Sequence, residues 1–299
     1  MPHRPKSASR IARLRLMSIT PITIIIVATV TITAIAVSAR GWRAKTSNAT
    51  TSRVTRLQVT PTPNGQGYVR RVRLFPELQR LFAPLGNRLT TPGLERLTLI
   101  GTLSRPGASK VNLPSRLILE FPANLRLEEQ DGPRLNVLLF NGQDIKRPGD
   151  TVKPSDQDDV ESLVFDGVDH FFLSQMQGQA TRFIGSRYRL DDGSTKNYTG
   201  PFYDVYEVSD QIVTGNHSRE QLKLYYFNSD TLALEKVRYQ TSRSGPRVNA
   251  EVQFSGWLRV NGQFLPTRIT EVENGVTMLD FRITSAAISA RVNDGIFDR

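Results

Sequence analysis

The sequence predicts a mainly β (α+β) fold: a strongly curved antiparallel sheet forming an open, incomplete barrel, with one long amphipathic helix across its concave side. Asn261-Gly262 and Asn274-Gly275 separate alternating runs of apolar and polar residues. Asn-Gly pairs in this context favour the tight type I′ turns of β-hairpins. Residues 220–283 are therefore predicted to form an antiparallel meander with one apolar face. A closed up-and-down barrel with a peripheral helix is the competing architecture.

Alternation of apolar and polar side chains predicts the individual strands. In the first strand of the meander, Leu222, Leu224 and Tyr226 alternate with Lys223 and Tyr225. Four strands are expected before the long helix and two between that helix and the meander, for a total of about ten or eleven. The elements predicted ahead of the meander are a short amphipathic helix at 75–83 and strands at 94–103, 116–121, 125–128, 135–140, 182–190 and 202–208.

The long helix is predicted from one apolar stripe. Its members recur at helical spacing over more than three turns, and such a stripe must be buried against another surface. Ser155 is the predicted N-cap, and acidic residues crowd the N-terminal end, where the helix dipole favours negative charge. The neighbouring strands offer a sheet face to cover the stripe. Its members are Val160, Leu163, Val164, Gly167, Val168, Phe171 and Phe172.

The net charge of +11 belongs to the N-terminal part of the chain. Residues 1–76 contain thirteen Lys or Arg and no Asp or Glu, whereas the rest of the chain has 26 basic and 28 acidic residues. A nucleic-acid-binding domain carries its positive charge on the fold itself, so no nucleic-acid partner is predicted. The chain has no cysteine, which excludes disulfides, thiol catalysis and cysteine-ligated zinc.

Residues 1–39 have the pattern of an export signal. Basic residues precede an uncharged run, 16–39, that is rich in Ile, Val, Thr and Ala. Two forms stay open at this point. Val37-Ser38-Ala39 matches a signal peptidase site, whereas the length of the run approaches the ~20 residues of a membrane-spanning signal anchor. The excess of basic residues before the run predicts that the N-terminus stays inside and the body lies outside the cytoplasm.

Residues 40–74 are predicted to be a basic linker rich in Thr, Pro and Gly, and residues 75–299 a single β domain. The linker cannot bury much apolar surface, and a solvated tether is the favoured interpretation over contact with anionic lipid headgroups. The predicted location is periplasmic. The domain would be anchored to the inner membrane by the N-terminal segment, or free in the periplasm if the signal is cleaved.

Candidate catalytic and metal-ligating residues are few. Asp166 and His170 lie four residues apart on one face of the predicted helix, a spacing that suits a pair of metal ligands or an oriented base. Two ligands make no metal site, and a solvated helix face fits the same residues. His217 lies in a Gly-Asn-His-Ser loop, and the chain has no Gly-x-Ser-x-Gly, phosphate-binding or His-Glu-x-x-His motif. The sequence therefore predicts no enzyme, no metal and no cofactor.

Aromatic residues favour a binding pocket for an apolar ligand. They are more numerous than a thin, one-layer core needs, and pockets for apolar ligands are lined in this way. Ordinary core packing is the alternative for each single residue. Phe171 and Phe172, at the end of the helical stripe, are predicted to face the cavity. The full set of predicted ligand-contacting residues is Phe121, Phe140, Phe171, Phe172, Phe183, Phe254, Trp257 and Phe281.

The pattern from residue 75 to 299 resembles the LolA/LolB-like periplasmic lipoprotein-carrier superfamily. The motifs that carry the resemblance are glycine turns and strand alternation, and none is catalytic. The resemblance implies an open, incomplete barrel whose helices plug an apolar cavity able to hold acyl chains. The motifs are Leu97-x-Leu99-x-Gly101-x-Leu103, Leu117-x-Leu119-x-Phe121-Pro122 leading to Leu125-Arg126-Leu127, Asn141-Gly142, Leu224-Tyr225-Tyr226-Phe227, Leu234-Glu235-Lys236-Val237, and Gly262-x-Phe264-Leu265-Pro266-Thr267-x-Ile269.

Composition, topology and resemblance together predict an exported envelope protein that binds lipid or lipoprotein acyl chains in an apolar cavity, as a lipoprotein carrier does. The predicted partners are those acyl chains and, through the N-terminal segment, the membrane. The alternative is a regulatory or scaffolding envelope protein that uses the same fold to contact a partner protein, since the superfamily also includes regulators that sense envelope stress.

Overall fold

The computed structural model describes one β-rich domain. The export segment predicted at 1–39 and the linker predicted at 40–74 lie outside the described residues. Among the residues that are described, no helix is both long enough and apolar enough to cross a bilayer. The described ranges are 76–105, 112–190, 200–214, 217–241 and 248–298.

Twelve strands form a single antiparallel sheet in the described part of the chain. The order across the sheet is β5-β4-β3-β2-β1-β12-β11-β10-β9-β8-β7-β6, so β5 and β6 are its two edges and the sheet stays open. The predicted fold class is confirmed, and the closed-barrel alternative is wrong. The strands are β1 (Arg96–Ser104), β2 (Leu113–Glu120), β3 (Asn124–Asp131), β4 (Arg134–Asn141), β5 (Ile145–Lys146), β6 (Thr181–Tyr188), β7 (Tyr203–Thr214), β8 (His217–Asn228), β9 (Leu234–Thr241), β10 (Val248–Val260), β11 (Gln263–Glu273) and β12 (Val276–Ser289).

The two Asn-Gly turns have the predicted geometry. Asn261 and Gly262 have φ of 48° and 80°, and Asn274 and Gly275 have φ of 47° and 84°. Positive φ at both central residues is what a type I′ turn requires, and asparagine and glycine tolerate it best. The turns join β10 to β11 and β11 to β12 with two residues each. They therefore set the register of the meander.

The inward face of β8 carries a charged residue that alternation alone did not reveal. Tyr225 and Phe227 are buried in the core, and Lys223, on the same face, is also fully buried. Leu222, on the opposite face, is 55% exposed. Both faces of this strand hold apolar residues, so the pattern does not show which one is covered. Burial of Lys223 depends on anionic partners supplied by other elements.

The predicted long helix is divided into two α-helices. Helix α2 (Pro154–Val160) continues into a π-helical turn (Glu161–Phe165), and α3 (Val168–Met176) begins after an interruption. Gly167 has an extended conformation, with φ −78° and ψ 169°. The stripe residues Val160, Leu163, Phe171 and Phe172 are nevertheless buried against the sheet. The two halves can therefore cover one sheet face while the chain changes direction between them.

Ion pairs attach the start of α2 to the sheet. Asp156 accepts two hydrogen bonds from Arg147 at 2.8 Å, and its carboxylate also accepts one from the backbone N–H of Lys153. Asp159 pairs with Arg105, which follows β1, at 2.6 Å. The helix begins at Pro154, so Ser155 already lies inside it and the prediction that Ser155 is the N-cap is wrong. These acidic residues act through specific arginines rather than through the helix dipole alone.

The short helix predicted at 75–83 is present as α1 (Pro76–Leu85), followed by a 3₁₀ turn (Asn87–Leu89). Leu78, Leu81 and Leu85 are buried, and the helix packs against β11 and α3. Helix α1 and helix α3 thus lie on the same side of the sheet. The space between them and the strands contains the candidate site.

Candidate functional site

A cavity of about 80 Å³ lies between the helical segments and the sheet. Strands β1, β2, β9, β10 and β11, the π-helical turn, the start of α3 and the 3₁₀ turn after α1 all contribute to its wall. Most lining side chains are apolar, which suits an apolar ligand. The apolar lining residues are Leu85, Leu97, Leu99, Leu119, Phe121, Pro122, Ala123, Leu163, Val164, Val168, Leu234, Phe254, Trp257, Leu265, Pro266 and Ile269.

Three of the eight sequence-predicted aromatic residues line this cavity. Phe254 is buried, whereas Phe121 and Trp257 are half-buried. Phe121 follows β2, and the other two lie on β10. They approach the cavity from two separate parts of the sheet, which chain order alone could not establish.

The other predicted aromatic residues pack elsewhere. Phe171 and Phe172 are fully buried in the core and are not among the lining residues, contrary to the expectation that they face the cavity. The ring of Phe171 lies 4.9 Å from the rings of Tyr225 and Phe227, so aromatic neighbours already occupy the space around it. Phe140 and Phe281 are likewise core residues, and Phe183 is 47% exposed on the edge strand β6.

A buried arginine closes one side of the cavity. Arg88, in the 3₁₀ turn after α1, pairs with Asp169 of α3, and both residues line the cavity. The side chain of Arg88 is only 2% exposed. Burial lowers the pKa of the Arg88 guanidinium to about 10, so it stays charged at neutral pH. This ion pair connects the segment after α1 to α3 at the wall of the apolar space.

A cluster of buried charges lies beneath the break between the π-helical turn and α3. Lys223 Nζ lies 2.9 Å from Asp166 Oδ1 and 2.9 Å from Asp210 Oδ2, and it donates to the carbonyl oxygen of Phe165 at 2.8 Å. Tyr239 Oη donates to Asp166 at 2.8 Å. The ammonium therefore satisfies a carbonyl that the helix break leaves free, as well as two carboxylates.

His170 joins the same cluster through Asp210. Its Nε2 lies 2.8 Å and 2.7 Å from the two carboxylate oxygens. Burial raises the pKa of Asp210, but the hydrogen bonds and charges of His170 and Lys223 lower it to about 2. Burial, together with the negative charges of Asp210 and Asp166, raises the pKa of Tyr225 well above its ordinary value, so its hydroxyl stays protonated. The cluster thus holds an ionised Asp210 carboxylate without exposed surface.

The structure explains the Asp166–His170 pair without a metal ion. Both side chains are buried, so the solvated-face interpretation is wrong. Each binds a different partner, Lys223 for Asp166 and Asp210 for His170. Among the described residues, no group of three or more histidine and acidic side chains is arranged to hold a metal ion. The pair helps to fix the broken helix to strands β7, β8 and β9.

Sequence reasoning identified Asp166 and His170 but missed Arg88, Asp210 and Lys223. Asp210 lies forty residues from His170, and Lys223 lies on a further strand, β8. The one available signal was a lysine that shares a strand face with Tyr225 and Phe227. Lysine is almost never fully buried unless it is paired, so its position could have prompted a search for acidic partners.

Comparisons with known proteins concern the fold. No protein-family model matches the sequence, and no curated protein matches it. The structure is similar to a LolA superfamily protein from Nitrosomonas europaea, with a TM-score of 0.47 and 12% identity over 74% of this chain and 96% of that chain. It is also similar to a domain named as an outer membrane lipoprotein-sorting protein from Vibrio parahaemolyticus, with a TM-score of 0.44 and 9% identity over 74% and 94% of the two chains.

A third similar structure is a DUF1329 family protein from Desulfovibrio piger, with a TM-score of 0.39 and 11% identity over 73% of this chain and 93% of that chain.

Proposed function

We propose that the domain binds the acyl chain of a lipid or lipoprotein in the cavity between the sheet and α3. The observation that carries the proposal is the lining itself, since leucine, valine and aromatic side chains from five strands and the helical segments converge on one space. Each methylene transferred from water into such a lining contributes about 0.8 kcal/mol. The proposal involves no reaction and no cofactor.

The size of the cavity requires the helical segments to move when a whole chain binds. Its volume is about 80 Å³, roughly half of the ~150 Å³ apolar cavity that binds one benzene molecule. Helix α3 and the preceding π-helical turn cover the space, and the 3₁₀ turn that carries Arg88 borders it. We therefore propose that this 3₁₀ turn shifts away from α3 when a chain binds, and that the Arg88–Asp169 pair opens as it does so.

We also propose where the protein acts and which molecules supply the acyl chain. The basic N-terminus followed by an uncharged run supports export, and export places the domain where envelope lipids and lipoproteins are its partners. The domain would act from the periplasm, attached to the inner membrane or released from it. Whether it carries lipoproteins is decided by the ligand that it retains.

The test is to fill the cavity by enlarging the side chain of one lining residue. Ala123 is half-buried and lines the cavity at the turn between β2 and β3. Ala123→Phe should occupy the space and abolish binding of 1-N-phenylnaphthylamine, an apolar probe whose fluorescence rises in apolar surroundings. Ala287→Phe, on an exposed position of β12, is the matched control and should bind the probe as the unaltered chain does.

Equal probe binding by the unaltered chain, Ala123→Phe and Ala287→Phe would contradict the proposed site. A purified chain that retains a protein and no lipid would instead support the regulatory or scaffolding alternative. Circular dichroism of each variant checks that the sheet is intact.

A further inference from the structure

Most polar side chains on the cavity wall have partners within the protein, but His170 has an unused nitrogen. Ser162 Oγ donates to the carbonyl of Asp158 at 3.0 Å, and the Glu120 carboxylate accepts from Arg96 Nε at 2.9 Å. His170 also lines the cavity and is 5% exposed. Its Nδ1 is buried and has no hydrogen-bond partner among the described residues. A buried polar atom without a partner is costly, and a ligand atom can supply one.

The other ring nitrogen of His170 has a fixed role. Nε2 lies within 2.8 Å of both carboxylate oxygens of Asp210. An ionised carboxylate only accepts hydrogen bonds, so Nε2 carries a hydrogen and donates it. Asp210 therefore holds the ring in one orientation, and Nδ1 is the nitrogen left for a further contact. This arrangement resembles the way a second group fixes the ring orientation of a functional histidine.

Charge balance decides whether Nδ1 donates or accepts. The buried cluster contains two carboxylates, Asp166 and Asp210, and one ammonium, Lys223. An uncompensated charge in a buried site is strongly unfavourable, and a protonated His170 makes the cluster neutral. Among the described residues, the cluster also contacts the hydroxyl of Tyr239 and the backbone carbonyl of Phe165. Two further ion pairs near the cluster are each balanced internally, Glu161 with Arg219 and Asp169 with Arg88.

We propose that His170 contacts the polar end of the ligand, with Nδ1–H donating a hydrogen bond to an acyl oxygen, either a carboxylate or an ester carbonyl. This inference rests on the proposed binding of acyl chains and names the polar group that accompanies the chain. The cavity then selects an amphipathic acyl compound over a purely apolar one of similar size. Asp169 is the other lining residue with a buried atom, Oδ1, that has no hydrogen-bond partner among the described residues; it pairs with Arg88 and can receive a donor from the ligand headgroup.

The test compares two kinds of ligand on the purified full chain. 1-N-Phenylnaphthylamine reports the apolar space and has no acyl oxygen, whereas dodecanoate and methyl dodecanoate carry one and compete with it. His170→Gln keeps an amide N–H that can donate to Asp210 but removes the ring Nδ1–H. We expect an affinity for dodecanoate at least about tenfold lower, the usual worth of a hydrogen bond to a charged group, and a clearly smaller change in affinity for the probe.

The two acyl ligands distinguish the source of the oxygen. A loss confined to dodecanoate assigns the contact to a carboxylate, and a loss for both ligands assigns it to the acyl carbonyl; either result supports the inference. His217→Gln, at the first residue of β8, is the matched control and should leave all three affinities unchanged. If the full chain binds neither the probe nor dodecanoate, the proposed function fails. If it binds both and His170→Gln weakens neither acyl ligand, only the inference about His170 fails.

A second measurement does not depend on how the variant folds. The chain has three histidines, so the imidazole nitrogens can be resolved by ¹⁵N NMR of the unaltered protein. The Nδ1 resonance of His170 should move when dodecanoate is added but not when the apolar probe is added. An Nδ1 resonance that dodecanoate leaves in place would overturn the inference.

Discussion

The side chain of Lys223 is fully buried, and its ammonium group lies between two carboxylates and a backbone carbonyl. Moving a charge out of water is expensive, and only close, well-oriented partners offset the cost. In this domain the partners come from two separate segments: Phe165 and Asp166 from the end of the π-helical turn, and Asp210 from β7. Lys223 thus holds the end of the π-helical turn in place on the sheet.

Replacing Lys223 with methionine should strongly destabilise the domain. The substitution keeps the volume but leaves Asp166 and Asp210 buried without their cation, which costs about 3–5 kcal/mol of unfolding free energy. Urea denaturation followed by circular dichroism measures the loss. Lys236→Met is the control, because Lys236 is partly solvated beside Glu251 and should change stability by less than about 1 kcal/mol. Equal effects of the two substitutions would contradict the account of the cluster.

The stability of the domain should fall as the pH is lowered through the pKa of Asp210. In the folded state that pKa is about 2, below the ordinary value of 3.8. A lowered folded-state pKa contributes stability that is present above about pH 4 and is lost as the pH falls towards 2. The contribution is about 2 kcal/mol. Denaturation at pH 5 and pH 2 measures it, and Asp210→Asn should show a drop smaller by that amount. An identical drop in both proteins would contradict the prediction.

Part of the cluster could be predicted from the sequence because part of it is local. Asp166 and His170 share a turn of chain, so their spacing placed them together. Asp210 and Lys223 reach the same point only through the register of β7 on β8, which pairs Asp210 with Gln221 and Val208 with Lys223. Register depends on burial of whole strands, and a single sequence does not show which of two partly apolar faces is covered.

At the scale of elements, the pairing of β1 with β12 joins the first strands of the sheet to the meander. The register of this pair shifts between Ile100 and Gly101. A Cβ atom added at Gly101 would lie 1.9 Å from the carbonyl oxygen of Arg282, so only glycine fits this close approach. The two halves of the sheet are therefore connected at a point that tolerates no side chain.

Gly101→Ala should weaken this connection by about 1–3 kcal/mol, the usual cost of forcing extra volume into a packed site. The added methyl group must push the backbone of β12 away and disturb the ladder. Gly185→Ala, on β6, provides a matched control, because a Cβ atom there would have no neighbour within 4 Å. Thermal denaturation compares the two. A Gly101→Ala variant as stable as Gly185→Ala would show that β12 can move freely at this point.

The division of the long helix shows that apolar periodicity alone does not predict where a helix is interrupted. The apolar spacing continues from Val160 to Phe172, so the pattern predicts one continuous helix. The break occurs at Asp166 and Gly167, where Lys223 and Tyr239 bind the carboxylate of Asp166 and Lys223 also binds the carbonyl of Phe165. Those partners lie on β8 and β9. Tertiary contacts, which the local sequence does not contain, therefore decide where the helix is interrupted.

At the scale of the whole molecule, the turns and strands were largely predictable because their signals are local. The two Asn-Gly hairpins lie where the sequence placed them, and the described residues form twelve strands where ten or eleven were expected. The cavity was less predictable. Phe171 and Phe172 belong to the same stripe as lining residues Leu163 and Val164, but neighbouring aromatic rings cover them in the core.

Trp257 should report ligand entry directly. It lines the cavity on β10, and the chain has only one other tryptophan, Trp42. In a Trp42→Phe background, a fatty acid brominated along its chain should quench the fluorescence of Trp257, because bromine quenches at short range. The unbrominated acid is the control for the solvent effect. Quenching that persists unchanged in Ala123→Phe would show that the acid binds somewhere other than the cavity.

The most direct test of the central claim is to identify what the cavity contains when the protein is purified from cells. The full chain should be purified from its membrane or periplasmic fraction, and its mass measured under native and denaturing conditions, with extraction of any released compound. Binding of acyl chains predicts a native mass higher than that of the chain by one lipid or lipoprotein acyl group, and recovery of that compound on denaturation. A native mass equal to that of the chain, together with no uptake of added fatty acid, would contradict the account.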